Sequence, residues 1–343
     1  MALLLALALC MLNLSARAQS NNQSSKKCLI IEDINHKQLL LHINTLSFIK
    51  NTEYFNPLIQ GHTLLGHQIH PYLSFYPATH LCIDLGVFTR RDWADTRFFS
   101  KAEPTFTFKY QNQGFAFLLG NIEGGIHHRL IVPLYEGERM LLSAPEPGLQ
   151  LRYNQARTFL DSWLEWLTLL RKQDGTPEEL AAGMSFDQIL MQCQRVTLRL
   201  PIQVVLYHLG GQGIPIKDYS LLLGAIGGKL GVSVSEYRLL RSVCFENYYV
   251  ASQYIKEVAR PFRRGKAFYS TLTVKTAWIA ITGSYWHGHG FSSENLGTPL
   301  YQSIAMLDKQ VQHQEKIRQL FLLRLFCEFH LTDAISLGLH LLV

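Results

Sequence analysis

The stretch that decides the fold is Gln319 to Val343, QLFLLRLFCEFHLTDAISLGLHLLV. Read every second residue and two apolar rows emerge: Phe321, Leu323, Leu325, Cys327, Phe329 and Leu331, then Ile335, Leu337, Leu339, Leu341 and Val343. Arg324, Phe326, Glu328 and His330, then Ser336, Gly338 and His340, fall between them. A period of two puts one side of each strand in an apolar medium. Thr332-Asp333 separates the rows as a tight turn, so the chain is predicted to finish on a β-hairpin. An apolar row that runs to the last residue suits a transmembrane β-barrel, in which the last strand meets the first and no edge stays open.

The same alternation recurs upstream. Thr63 to Tyr76 sets Leu65, Ile69, Leu73 and Phe75 against Gly66, Gln68, His70, Tyr72 and Ser74, and Pro77 ends it. Thr79 to Arg90 answers with Leu81, Ile83, Leu85 and Val87 against His80, Asp84, Gly86 and Arg90. Thr105 to Tyr110 and Gly114 to Ile122 form the next hairpin. His128 to Tyr135 and Arg139 to Ser143 are weaker strand candidates, whereas Gly148 to Tyr153 is clean, with Gln150 and Arg152 opposite Leu149, Leu151 and Tyr153. Phe159 to Leu170 sets Asp161, Trp163 and Glu165 against Leu160, Leu164, Trp166 and Leu170. Leu160, Trp163, Leu164 and Leu167 also satisfy helical spacing, and the strand is preferred because Trp and Thr suit it. Glu179 to Phe186 and Val196 to Leu209 follow. Ser220 to Val234 carries Gly224 and Gly228 at GxxxG spacing, but it is too short for a spanning helix and Lys229 interrupts it. Gly265 to Tyr285 reads as one long strand and Trp286 to Tyr301 as a Gly- and Ser-rich loop. The fold class is therefore all-β, an antiparallel transmembrane β-barrel of roughly 12–16 strands.

Composition agrees. The chain has 343 residues, 48% hydrophobic and only 17% charged. Its mean hydropathy of +0.04 fits lipid-facing residues diluted by lumen-facing ones, where a helical membrane protein scores far higher. The net charge of +6 forms no nucleic-acid-like stripe, and no nucleic-acid partner is expected. Met1 to Ala18 reads as a secretory signal, with Ala16-Arg17-Ala18 fitting the cleavage rule although the n-region lacks Lys and Arg. Residues 19–37 read as a polar, disordered leader and 38–343 as the barrel. Cys28, Cys82, Cys193, Cys244 and Cys327 remain after cleavage, odd in number and without disulfide or zinc spacing.

Asn51 to Pro77 (NTEYFNPLIQGHTLLGHQIHPYLSFYP), Leu85 to Trp93 (LGVFTRRDW) and Tyr285 to Ser303 (YWHGHGFSSENLGTPLYQS) resemble porin-like outer-membrane proteins of Gram-negative bacteria of the Bacteroidetes type. The likeness spans the chain from about Gln38 onward. It implies an outer-membrane location, a bilayer rich in lipopolysaccharide as surroundings, and assembly by the barrel-assembly machinery. It carries no catalytic signature, and the terminal aromatic common to such barrels is replaced by Val343.

Candidate chemistry is sparse. His127-His128 and His287-Gly288-His289 lack the carboxylate or Cys partners of a known metal spacing, so they read as polar loop residues and no metal is expected. GxSxG, HExxH and GxGxxG are absent, and Ser336 and His340 lie about 13 Å apart along a strand. Asp92 and Asp95 sit among Arg90, Arg91 and Arg97 as neutralised loop charge. The expectation is thus a barrel without enzymatic activity or cofactor. Its candidate pore-lining residues are Asp84, Arg90, Arg152, Asp161, Glu165, Arg199, Lys275, Arg324 and Glu328. It would act as a porin-like passive diffusion channel for small polar solutes or ions, with mild anion preference. The alternatives are a closed structural or adhesion barrel whose loops Thr89 to Arg97 and Trp286 to Leu300 bind a partner, and a secreted β-sandwich acting on glycan.

Overall fold

The computed structural model describes residues 37–54, 59–171, 173, 175–211, 218–234, 239–256, 260–307, 310–331 and 336–343. The signal and most of the leader read at residues 1–36 lie outside them, as does the turn Thr332-Asp333.

Seventeen strands follow one another in chain order: β1 (Leu39–Thr52), β2 (His62–Ala78), β3 (Leu81–Asp92), β4 (Lys101–Asn112), β5 (Phe115–Asn121), β6 (Pro147–Asn154), β7 (Thr158–Thr168), β8 (Glu178–Cys193), β9 (Val196–Gly210), β10 (Tyr219–Ser233), β11 (Leu240–Tyr254), β12 (Arg264–Thr276), β13 (Ile279–His289), β14 (Ile304–Leu307), β15 (Gln310–Gln314), β16 (Ile317–His330) and β17 (Ser336–Leu342). Fifteen of them make one antiparallel meander from β1 to β13, then β16 and β17; β14 and β15 form a separate small hairpin. Among the described residues no ladder joins β1 to β17. The architecture is a transmembrane β-barrel.

Its burial is that of a soluble protein turned inside out. Phe321 is 79% exposed, and Leu85, Phe106, Leu151, Phe245 and Leu272 are exposed with it, while Asp161 is 0% exposed and Lys109, Gln150, Arg152, Glu165 and Gln203 are buried. Water rewards the reverse arrangement, so the outer wall meets hydrocarbon and the lumen holds the polar groups. On β7 the alternation is complete: Phe159, Asp161, Trp163 and Glu165 are buried inward while Leu160, Ser162 and Leu164 stand on the other face.

One end of the barrel carries short turns, at residues 79–80, 113–114, 155–157, 194–195 and 277–278. The other end carries the long connections, chiefly residues 122–146 and 290–316. Short turns mark the periplasmic end and long loops the cell surface. Residues 122–146 and 290–305 fold back into the lumen. There Leu134, Phe291, Leu296 and Tyr301 join Val205, Leu221, Tyr254, Tyr269 and Trp286 of the wall in one apolar cluster. They also bond to each other, through Glu136 N–H to the Leu296 carbonyl at 2.7 Å and Thr298 N–H to the Val132 carbonyl at 3.3 Å.

Several expectations change here. The strands expected at His128 to Tyr135 and Arg139 to Ser143 are absent: His128 ends a 3₁₀ turn, Gly125–His128, residues 129–135 are loop and turn, and Arg139–Leu142 is a short helix α1. The plug borrows apolar residues from the same pool as the strands, so composition alone does not separate them. The long strand expected over Gly265 to Tyr285 is a hairpin of β12 and β13, turned at Thr276, whose Oγ1 accepts the Ile279 N–H at 3.0 Å. Trp286 to His289, read as loop, complete β13. Strand β11 was not anticipated, because Tyr248 and Tyr249 put an aromatic on each face and blur the period. Ser220 to Val234 is spanned by β10 and not by a helix.

The detergent-extracted protein is expected to run at one position on a gel when unheated and at another after boiling. A band that does not move on boiling would show that the ladder does not resist detergent.

Candidate active site

The centre of the plug is a histidine that ordinary loop chemistry does not explain. Residues 122–146 leave β5 at the surface end and descend into the lumen. Gly124 and Gly125 make the descent: a Cβ on Gly124 would fall 2.1 Å from the Glu146 carboxyl carbon, and Gly125 has φ +61°. The Gly125 N–H then reaches Glu146 Oε1 at 2.9 Å. Arg129, at φ 54°, ends the turn, and Gln203 of β9 holds it by accepting the Ile131 N–H at 2.9 Å and donating to the Arg129 carbonyl at 3.0 Å.

This places His128, 0% exposed, between two carboxylates. Its Nδ1 is 2.7 Å from Asp161 Oδ2 on β7 and its Nε2 is 3.1 Å from Glu146 Oε2. Its ring stacks on Trp163 with centroids 3.8 Å apart and planes at 16°, and Tyr135 meets its edge at 5.7 Å. Trp163 lies flat because β8 offers Gly183 beneath it, where a Cβ would fall 2.1 Å from the indole. Such a stack is worth about 0.5–1.5 kcal/mol beyond the area it buries.

Each carboxylate is held in turn. The Tyr135 hydroxyl donates to Glu146. Asp161 Oδ1 accepts from Gln150 Nε2 at 2.8 Å and lies 3.6 Å from Arg152 Nε. Arg152 and Lys109 share Glu123, at 2.6 and 2.9 Å. On the surface side Arg139 of α1 lies over the Tyr135 ring and donates from Nη2 to Glu165 Oε1 at 2.6 Å. Four buried atoms of this cluster make no hydrogen bond: Arg139 Nη1, Arg152 Nε, Trp163 Nε1 and Glu165 Oε2. Three are donors and one an acceptor.

Electrostatics separates the two adjacent histidines. Burial pushes His127 down to about 4. Burial acts on His128 in the same direction, but the hydrogen bonds and charges of Asp161 and Glu146 outweigh it and hold His128 above its usual 6.5. Burial alone would raise Glu146, yet His128, Arg139 and Tyr135 hold it well below the usual carboxylate range. Charge balance within the cluster, rather than solvent, keeps these groups ionised.

Of the residues read as lumen-facing, Arg152, Asp161 and Glu165 come together around His128. Arg90 reaches the plug from β3, donating to the Leu142 carbonyl and pairing with Asp92 at 2.9 Å. The others lie elsewhere. Asp84 accepts from Ser74 at 2.5 Å and Cys82 at 3.2 Å, and Arg199 pairs with Asp187 at 2.7 Å. Lys275 shares the face of Tyr269 and Thr271 but is exposed. Arg324 Nε and Glu328 Oε1 are buried without a partner. His128, Tyr135, Arg139 and Glu146 were not foreseen as site residues; reading His127-His128 as ordinary polar loop residues is corrected by the complete burial of His128. One local signal existed, a connection of 25 residues between β5 and β6, too long for a barrel turn. Among the described residues no group of three or more His, Cys, Asp or Glu is arranged to hold a metal ion.

Removing one partner of a buried ion pair leaves an uncompensated charge, at a cost of about 3–5 kcal/mol. D161A is therefore expected to leave the barrel folded but to undock residues 122–146, seen as new protease cleavage within them. The pH dependence follows from the shifts. A raised His128 adds stability that is full below 6.5 and is lost as pH climbs through its raised value; a lowered Glu146 adds stability present above 4.5 and lost as pH falls through its depressed value. Protection of the plug is expected to be greatest between those limits.

Comparison with known proteins completes the site. Among solved structures, the Acinetobacter baumannii protein OccAB4 is 10% identical, with 89% of this chain and 91% of that chain covered and a TM-score of 0.44. OmpT, an outer membrane protein of Vibrio cholerae, is 10% identical over 82% of this chain and 95% of its own, with a TM-score of 0.33. A Rhodopseudomonas blastica porin variant is 9% identical over 72% and 94%, with a TM-score of 0.30. No curated protein matches the chain. The family model described as lipid A 3'-O-deacylase-type matches residues 31–343. An enzymatic family overturns the expectation of a barrel without enzymatic activity, which rested on motifs contiguous in sequence, whereas this site is assembled from a loop and two strands. The protein resides in the outer membrane, and it belongs to the lipid A 3'-O-deacylase-type family.

Proposed function

We propose that the protein is an outer-membrane acyl-ester hydrolase acting on lipid A-type glycolipids, with His128 as general base and Asp161 as the residue that orients it. The observation that carries this reading is the buried Asp161–His128 pair in a chain whose family is named for deacylation. Asp161 accepts the Nδ1 proton and so directs the basic lone pair to Nε2. In the docked state Nε2 is engaged by Glu146, and loss of the His128 proton weakens that contact and frees the base. The neutral imidazole then takes a proton from water as the water oxygen bonds to the ester carbonyl carbon. Negative charge builds on the carbonyl oxygen, for which Arg139 Nη1 and Trp163 Nε1 are unoccupied donors. When the C–O ester bond breaks, the proton passes from His128 to the leaving alkoxide, giving a carboxylic acid and an alcohol.

A second reading, passive diffusion of small polar solutes, draws support from charges on the inward faces of β8 to β11. There Lys229 lies 3.2 Å from Glu246 and 3.9 Å from Asp187, and Arg199 also pairs with Asp187. The two inward-folded connections stand in the way of such a path and would have to move. Export through a signal at residues 1–18 and insertion by the barrel-assembly machinery belong to the same proposal.

The test is release of fatty acid from lipid A by the purified, folded barrel. H128Q is expected to slow hydrolysis by about 10²–10⁴-fold, the usual contribution of a general base. D161N should cost less, because the imidazole remains. The rate should rise with pH above 6.5, as His128 loses its proton. Undiminished hydrolysis by H128Q would sink the assignment; single-channel conductance from a wild type without hydrolysis would favour diffusion.

A further inference from the structure

The outer wall over β11, β12, β13, β16 and β17 carries a groove of about 500 Å³ whose lining is not that of a uniform lipid-facing surface. One rung of the sheet crosses it: Phe245 pairs with Leu272, Leu272 with Gly283, Gly283 with Leu323, and Leu323 with Val343 through backbone bonds of 2.7 and 2.8 Å. Bulky residues stand on both sides of Gly283, and a Cβ built there would meet nothing within 4 Å. The glycine is a notch in a wall of large side chains. One rung towards the surface, Ser270 keeps the channel narrow but open, while Tyr285 and Phe321, with ring centroids 4.7 Å apart, bound it.

Directly above, at the long-loop end, the same wall turns cationic. On β12 Gly265 and Ala267 are buried inward, so Arg264 and Lys266 point out, and both are exposed. Arg263 and Lys316 are exposed beside them. None of these four makes an ion pair among the described residues. By contrast Arg260, a few residues earlier, is committed to Glu294 within the lumen at 3.1 Å.

Depth links the two features. Lys266 and Leu272 are six residues apart, roughly 20 Å along a strand, which at a tilt of 35–45° is about 15 Å of depth. That is about half of a hydrocarbon core of ~30 Å. The cations therefore sit at headgroup level and the notch lies near the end of an acyl chain in the same leaflet.

We propose that this wall is a binding site for a phosphorylated, acylated lipid of the outer leaflet, its phosphate held by Arg264 and Lys266 and one acyl chain seated over Gly283. The site is separate from His128, since the groove faces outward on β11 to β17 and the histidine lies inside against β7. Arg and Lys at the headgroup supply charge-assisted bonds to phosphate, and the notch selects a chain in register with them. The hydrolytic reading is not needed for it, although a lipid held here would keep substrate-class lipid at the rim.

The test is binding of lipid A, dephosphorylated lipid A and phosphatidylcholine to the intact barrel in detergent, followed by native mass spectrometry. Wild type is expected to retain lipid A well above the other two. The double variant R264Q/K266Q should weaken lipid A binding by about tenfold or more, the loss of two charge-assisted contacts. G283L, which fills the notch, should weaken it several-fold, with G283A as a milder variant should leucine prevent folding; the heat-shifted gel band reports folding for each. Retention of lipid A by a wild type that releases no fatty acid would sink the hydrolytic reading and leave this result intact. Equal retention of the three lipids by wild type, or unchanged binding in R264Q/K266Q and in the folded glycine variant, would overturn the site.

Discussion

Hydrocarbon offers no hydrogen bonds, and that one condition governs the molecule. Every backbone N–H and C=O that crosses the bilayer must be satisfied by a neighbouring strand, which only a sheet bent round on itself achieves. The meander meets the condition for every strand between β1 and β17, with the shortest connections the chain allows at its periplasmic end. Once the backbone is paired, the pleat does the rest. Alternate side chains face lipid or lumen, and a period of two becomes a sorting of Leu and Phe outward and of Asp, Arg and Gln inward.

Sorting polar groups inward creates a second problem, which the lumen solves by pairing. A wide ring of strands encloses space that water or protein must fill. Here two surface connections fold back and fill it, so groups such as Asp161, Arg152 and Glu165 lose water and must be compensated by one another. His128 is the hinge of that compensation. It bridges the wall, through Asp161, to the plug, through Glu146, and its ring completes the contact with Trp163. The same bridging that fixes the plug sets the tautomer of the imidazole. Under the hydrolytic reading proposed above, structural and chemical roles would rest on one residue, whose proton locks the plug and whose loss frees Nε2.

The outer wall shows a parallel division. Most of it is a featureless apolar belt, as solvation by lipid demands. Over β12 and β13 it departs from that pattern twice, with unpaired cations at headgroup level and a glycine notch at the depth of a chain end. Neither is required to keep a strand in a membrane. A glycine in a lipid-facing row weakens packing, and exposed arginines without carboxylates gain little from water that a polar neutral residue would not. The proposed lipid site, with its cations on β12 and its notch on the adjoining β13, gives both a single purpose.

The alternation from Phe321 to Phe329, and from Leu65 to Phe75, was sufficient to establish a barrel, because a strand's two faces are a local property written two residues apart. It also placed Asp161 and Glu165 inward on β7 before any tertiary contact was known. The strand at Phe159 to Leu170 kept helical spacing as a rival, and only pairing with β6 and β8 resolved it. Three things were not local. Residues 122–146 have the composition of weak strands, and their descent into the lumen depends on Gly124 and Gly125 closing against Glu146 and on Gln203 bonding to Arg129 and Ile131, 74 and 72 positions away. The site at His128 joins residues from that connection to a strand 33 positions on, with no contiguous motif to announce an enzyme. The notch at Gly283 has meaning only once Leu272 and Leu323 are set beside it by register. Sequence alone determined the two faces of most strands and their medium, since those follow from period and polarity; tertiary structure decided where β11 and the β12–β13 turn fall and which inward charges meet, because that depends on pairing and on how a long loop fills an enclosed space.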